Sequence, residues 1–330
     1  MKKNYSIPVI CPRCKSQFLS EDVFKLSNTK LKCKNCNITF ISNNGCYDFV
    51  FENIDEKKFY ENRYYKNEYN QKKLDFDELY NIWADPYQPE VNFFLSEIKK
   101  YNIKNKTILL LGNGESEKEL YFLNFGSRII YSDLSMNSVK NVKNHYDFKE
   151  YIEKITFHAI DAVNLPFKTN SIDMVYGYAF IHHIDNLDRF FNEVYRVLKP
   201  KGLCLFLDNA HSPMLHILKW KLLPFITNFI QKNYETSPED EKASLKGGFD
   251  QDELRNIMVK YKFQDIIFLR FGLFYWIFKR LPGVVFNWSE KLIKFQRHFI
   301  PLLFFIDSFI SKRSSIYCNN TMKLIFGFKK

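Results

Sequence analysis

Nowhere does the sequence hold the roughly 20 uninterrupted apolar residues that a membrane-spanning helix needs, although 46% of its 330 residues are hydrophobic. No proper apolar stretch follows Met1-Lys2-Lys3, which leads almost directly into Cys11, so a secretory signal is not expected. The expectation is a reducing, cytoplasmic compartment without a transmembrane anchor. Acid is scarce towards one end. From Ile266 to Lys330 eleven Lys/Arg stand against Glu290 and Asp307 alone, a local +9 within a net charge of +11. That imbalance points to an anionic partner surface, either nucleic-acid phosphates or anionic lipid headgroups.

The apolar content is sufficient for a sizeable core and excludes wholesale disorder. A chain of this length holds one large domain with an appendage, or two ordinary domains.

Four of the seven cysteines form two CxxC pairs, Cys11-Pro12-Arg13-Cys14 and Cys33-Lys34-Asn35-Cys36, separated by eighteen residues. Each pair sets two sulfurs on one side of a tight turn, and two such turns close a tetrahedron of thiolates around zinc. Four protein ligands leave no open position, so the zinc is structural. Lys15 and Lys34 are expected to offset part of the thiolate charge. The plain alternative is incidental or redox cysteines, but a redox dithiol belongs beside a βαβ unit, which this segment lacks. Cys46, Cys204 and Cys318 have no partner at ligand spacing and read as buried or incidental. After the second pair come a strand (Ile38 to Ser42), a turn (Asn43-Asn44-Gly45) and Tyr47-Asp48-Phe49. Over about fifty residues the segment resembles the zinc-ribbon module of the small activator subunit of several tRNA and protein methyltransferases.

Residues 52 to 100 read as charged, Tyr-rich linker and entry helices, with Val91, Phe94, Leu95 and Ile98 at helical spacing. Then Thr107 to Leu111 is wholly apolar after its first residue, as a buried parallel strand requires. It meets Gly112-Asn113-Gly114, and an apolar-periodic helix is expected around Leu120, Phe122 and Leu123. Strand, glycine turn and helix together bind a nucleoside at a helix N-terminus. A second strand, Arg128 to Ser132, ends in Asp133, twenty-one residues after Gly112. At that distance a carboxylate reaches ribose hydroxyls. Further strands are expected at Ile155 to Ala159, Ser171 to Tyr176 and Leu203 to Leu207, with a helix from Leu187 to Leu198.

Asp133-Leu134-Ser135, Asp161 before Leu165-Pro166-Phe167, His182-His183, and Val197-Leu198-Lys199-Pro200-Lys201-Gly202 occur together in that order. As a set they resemble class I S-adenosylmethionine methyltransferases, especially the ubiquinone- and menaquinone-biosynthesis branch, from about Lys106 to Asp208. The resemblance implies that Gly112 and Gly114 pass the methionine portion of S-adenosylmethionine. It further implies that Asp133 holds the ribose and that Asp161 with Ala162 meets the adenine. The family usually carries an acid where Leu110 stands and a third glycine where Ser116 stands; Glu115 is the candidate replacement for the acid. A nicotinamide-dependent dehydrogenase would prefer glycine where Glu117 stands, and a different later half.

The resemblance also implies two further strands, which match Phe263 to Leu269, after a helix from Asp250 to Tyr261, and Thr321 to Phe328. About fifty residues separate them, including Phe274 to Phe278 and Phe299 to Phe305, interleaved with Lys279, Arg280, Lys291, Lys294, Arg297, Lys312 and Arg313. Met214 to Ile230 has similar character. Helices of this kind can lie in a membrane interface; as alternatives they form a lid over the substrate, a dimer interface, or an RNA contact.

The fold expected is α/β: a seven-stranded Rossmann-like sheet whose last strand is antiparallel. Its divisions are a ribbon (1–50), linker and entry helices (51–100), a cofactor-binding core (101–210), and lid or membrane-surface helices with the last two strands (211–330). The activity expected is methyl transfer to a small or amphiphilic acceptor, lipid-linked, quinone-like or glycan. The alternatives are an rRNA or tRNA methyltransferase, motivated by the ribbon, and a catalytically silent scaffold, motivated by Leu110 and Ser116. Should the acceptor need to lose a proton, the candidate bases are His182, His183, Asp208 and His211; each histidine has a plain packing or loop alternative. Peripheral attachment to the inner face of a membrane is one alternative to lid or dimer helices, and oligomeric state is left open.

Overall fold

A computed structural model of the chain describes residues 9–18, 30–52, 57, 71–86, 88–212, 248–272, 278, 295, 298–314 and 323–330. The expected helix at 214–230, the apolar cluster at 274–278 apart from Phe278, Lys291, Lys294, Arg297 and Cys318 lie outside the described residues.

Ten strands form one sheet. In chain order they are β1 (Lys30–Lys32), β2 (Thr39–Asn43), β3 (Cys46–Asp48), β4 (Thr107–Leu111), β5 (Arg128–Asp133), β6 (Ile155–Ala159), β7 (Ile172–Tyr178), β8 (Leu198–Asn209), β9 (Gln264–Phe271) and β10 (Lys323–Lys329). Across the sheet they run β1-β2-β3-β6-β5-β4-β7-β8-β10-β9. Strands β3 to β8 pair in parallel along this order, and β10 is antiparallel to both β8 and β9. The sheet is thus mixed and mostly parallel, as an α/β fold requires, with the antiparallel β10 lying between β8 and β9. The ribbon extends the same sheet by three strands, because β3 pairs with β6 through Tyr47–His158 and Asp48–Ala159.

β4 sits in the middle with every residue buried, which is why its sequence shows no polar alternation. Six described helices flank the sheet: α1 (Phe76–Ala84), α2 (Pro89–Lys99), α3 (Met136–His145), α4 (Leu187–Val197), α5 (Gln251–Lys260) and α6 (Ile300–Ser311). Asp75, Ser135, Asn186 and Asp250 cap four of them by accepting backbone N–H groups that a helix start leaves unpaired. The helix expected after the glycine turn is instead a 3-10 stretch, Lys118–Phe125, ended by Gly126 in the left-handed conformation.

Alternate residues of the strands feed two cores. Ile108, Leu110, Tyr131 and Tyr176 pack with α1 and α2 (Trp83, Phe94, Ile98). Leu109, Leu111, Val175 and Phe206 pack with α4 and α5, and with Phe18, Phe40, Tyr47 and Phe49 of the ribbon. Each of those ribbon aromatics is buried, and full burial of a Phe side chain contributes on the order of 1.5–3 kcal/mol. Ribbon and core thus share one hydrophobic interior.

Candidate functional site

The carboxyl ends of β4, β5, β6 and β7 surround a cavity of about 480 Å3. All six residues expected to bind the cofactor line it: Gly112, Gly114, Glu115, Asp133, Asp161 and Ala162. Gly112 has φ 60°, and a Cβ there would lie 2.4 Å from Phe180 Cβ. Both its conformation and its space therefore demand glycine. Gly114 N–H donates to Asp133 Oδ2 at 2.7 Å, and Ser135 N–H donates to Asp133 Oδ1 at 2.9 Å. Burial pushes the Asp133 carboxyl above its usual range, against those two backbone bonds.

Asp161 is fixed at the next strand end. Its Oδ1 accepts from Val163 N–H (3.1 Å) and its Oδ2 from the Asn164 side-chain amide (2.7 Å), while burial again raises the carboxyl. Asn164 in turn accepts from Arg189 in the first turn of α4.

Leu110 is fully buried beneath the glycine turn. The turn is braced by a polar cluster around Glu119, itself fully buried. Glu119 accepts from the hydroxyls of Ser116 (2.7 Å) and Tyr176 (2.9 Å) and pairs with Lys118 at 2.9 Å. Tyr131 adds a hydroxyl donated to the Ser116 carbonyl at 2.7 Å. Burial raises both tyrosines well above their ordinary pKa, so they remain donors. Ser116 is thus committed to this bracing, whereas Glu115, bonded by Asn141, faces the cavity.

Three of the four candidate bases come together, and His211 stands apart. His183 lines the cavity. His182 stands beside it, ring centroids 4.1 Å apart, with its Nδ1 2.8 Å from Asp208 Oδ1. Asp208, fully buried, also accepts from the backbone of Ile181 at 2.8 Å, so it pins the turn that carries both histidines. His211 is not among the lining residues; its N–H donates to the Phe249 carbonyl at 2.8 Å.

Several lining residues were not singled out in the sequence: Glu52, Asn113, Phe180, Asn186 and Arg189. Asn186 carried a local signal as an Asx residue heading a helix, and Phe180 follows Ala179, a non-glycine at φ 54°. Glu52 and Arg189 carried none.

The four ribbon sulfurs lie within 4.8 Å of one another, with Cys11–Cys36 at 3.6 Å and Cys14–Cys33 at 3.4 Å. Tetrahedral zinc with bonds near 2.3 Å separates its sulfurs by about 3.8 Å, so the donor set fits that ion. Lys15, beside Cys14, pairs with Glu193 on α4, its Nζ 2.7 Å from Oε2.

A protein-family model described as a methyltransferase domain matches residues 109–206. The ubiquinone/menaquinone biosynthesis C-methyltransferase of Methylococcus capsulatus is 24% identical over 174 residues, 46% of this chain and 70% of that protein. The mitochondrial 2-methoxy-6-polyprenyl-1,4-benzoquinol methylase of Xenopus laevis is 30% identical over 152 residues, 40% of this chain and 49% of that one. The chain therefore spans about half the length of the second relative. Among solved structures, a phosphoethanolamine N-methyltransferase of Haemonchus contortus superposes with a TM-score of 0.47 and 20% identity. That superposition covers 72% of this chain and 52% of the other. The family match and the curated relatives support an S-adenosylmethionine-dependent methyltransferase, with residues 109–206 similar to a methyltransferase domain.

Proposed function

We propose that the chain methylates an amphiphilic acceptor, lipid-linked or quinone-like, at an anionic membrane surface. The observation carrying this reading is the outer face of α6. Leu302, Phe305, Ile306 and Phe309 recur at helical spacing and are 37–66% exposed, with Phe295 and Phe299 exposed just before them. Exposed Lys312 and Arg313 follow, and the Arg313 guanidinium stacks on Phe309 at 3.6 Å. Aromatic and aliphatic side chains backed by cations suit a leaflet interface, apolar face inward and charges at the headgroups. Phe304 packs on Phe271 at the end of β9, and Phe271 is level with Asn209, the end of β8. The helix therefore packs at the same end of the sheet as that at which the cavity opens. Among the described residues no helix is long and apolar enough to cross a membrane, which suits attachment at the surface.

S-adenosylmethionine supplies a methyl group on a sulfonium when bound. The chain's own contribution is placement: in-line displacement gains much of its rate from alignment. Asp133 and Asp161 are the residues assigned to hold the nucleoside, and the glycine turn permits close approach at the methionine end. Where the acceptor is a hydroxyl, His183 is the assigned base, held by the turn that Asp208 pins and with His182 alongside it. The four cysteines are assigned a structural zinc. An RNA acceptor is less well supported, since among the described residues the ribbon aromatics Phe18, Phe40, Tyr47 and Phe49 are buried and cannot stack on bases.

Incubation with methyl-labelled S-adenosylmethionine and separate lipid, glycan and RNA extracts tests the acceptor. Label is expected in the lipid fraction, and label in RNA alone would reverse the reading. Flotation with phosphatidylserine-containing vesicles tests the surface; protein that stays at the bottom of the gradient removes the membrane from the proposal.

A further inference from the structure

The ribbon does more than extend the sheet. Beyond β3 the chain continues beside the end of β6, with Phe49 N–H donating to the Ala159 carbonyl at 2.9 Å. Three residues later Glu52 enters the lining of the cofactor cavity. Across from it stands Arg189, whose Nη2 lies 3.8 Å from Glu52 Oε1. Arg189 also donates to Asn164, which donates to Asp161. Ribbon exit, the loop after β6 and the start of α4 thus meet in one polar chain, Glu52–Arg189–Asn164–Asp161. A second tether lies behind it: Lys15, next to Cys14, pairs with Glu193 one turn along α4 from Arg189. Ile10 N–H donates to the Pro166 carbonyl at 2.9 Å in the loop that carries Asp161 and Asn164.

We infer that Glu52 and Arg189 form a clasp across the Asp161 end of the cavity, so that the segment leaving the ribbon is part of the cofactor-binding site. Glu52 is the specificity-bearing wall residue and Arg189 its positioning partner. The inference rests on the reading of this cavity as the S-adenosylmethionine site. Both side chains are about half exposed, 47% and 46%, so neither is needed to hold the apo fold together. An exposed pair of this kind is a weak stabiliser of a folded chain. A ligand seated against the pair removes water from it and strengthens the attraction between its charges.

Titration calorimetry with S-adenosylhomocysteine on the full-length, zinc-loaded chain tests this. Wild type is expected to bind. Glu52→Ala is expected to weaken binding about twofold to tenfold, the range of losing one ordinary hydrogen bond, and Glu52→Gln less. The apo melting temperature of both should match wild type. A reversed pair, Glu52→Arg with Arg189→Glu, should recover part of what either single reversal loses. Unchanged affinity in Glu52→Ala, or equal losses of affinity and apo stability, would overturn the clasp while leaving the cofactor reading intact. No binding by folded wild type would overturn the cofactor reading and the clasp with it. Zinc content per chain, measured on every variant, separates loss of the clasp from loss of the ribbon.

Discussion

Lys15 Nζ lies 2.7 Å from Glu193 Oε2, tying the first CxxC turn of the ribbon to the helix that begins at the cofactor cavity. Arg196 completes the arrangement, its Nε and Nη2 donating to the two Glu193 oxygens at 2.8 and 2.9 Å. Glu193 is desolvated by burial, yet Arg196 and Lys15 more than offset this and hold its carboxyl below the usual value. The Lys15 ammonium is itself lowered, since burial costs it more than one carboxylate returns; Glu193, with two cations, is the group that titrates in acid. A depressed carboxylate contributes stability that is present above its unfolded pKa and lost as pH falls through the folded one. Denaturant unfolding should therefore show stability declining below the model-peptide glutamate pKa of about 4.3, and Glu193→Gln should flatten that decline. At neutral pH the substitution is expected to cost about 1–3 kcal/mol.

His158 is the pivot of the seam between β3 and β6. Its Nδ1 accepts the Tyr47 N–H at 3.2 Å, and burial pulls its pKa down to about 3. The folded protein keeps this imidazole neutral, whereas the unfolded chain protonates it near pH 6.5. Stability should thus be level above that pH and fall as pH drops from about 6.5 towards 3, at up to about 1.4 kcal/mol per unit. His158→Asn preserves an acceptor for Tyr47 without titrating. Urea midpoints at pH 7 and 5 should differ less in that variant than in wild type.

Gly112→Ala brings two penalties together: a Cβ at φ 60° and contact with Phe180. The backbone penalty alone is about 1–2 kcal/mol, and Phe180 must also move into the cavity. Binding of S-adenosylhomocysteine should weaken at least tenfold by calorimetry. Adding Phe180→Ala should restore part of it by clearing the space.

Zinc removal should loosen the ribbon. Chelation, or Cys33→Ser, is expected to lower zinc content below one per chain and to make 30–48 exchange amide hydrogens faster. Tyr47 and Asp48 should respond even though β3 is paired to β6, since their other neighbour is lost. Unchanged exchange after verified zinc loss would count against a structural metal.

Much of the site was legible because its signals are local. The apolar run of β4, the turn Gly112-Asn113-Gly114, the acid ending β5 and the two CxxC spacings are short-range patterns set by backbone sterics and strand burial. They pointed to six of the residues that line the cavity and to the four-sulfur cluster. The 3-10 stretch after the turn was missed, since helical periodicity does not register the pull of buried Glu119 on Ser116 and Tyr176.

By itself, the sequence determined which core segments become strands, which of them end in glycine or acid, and which cysteines can share a metal. Only the tertiary structure decided that the ribbon closes the free edge of β6, that Lys15 pairs with Glu193, that His183 and not His182 faces the cavity, and that Glu52 reaches Arg189. Each of those pairings joins residues far apart in the chain. An open strand edge, an uncompensated buried carboxylate and a crowded turn come into being only once the core has packed, and the chain then satisfies them with whatever group the fold has carried within reach.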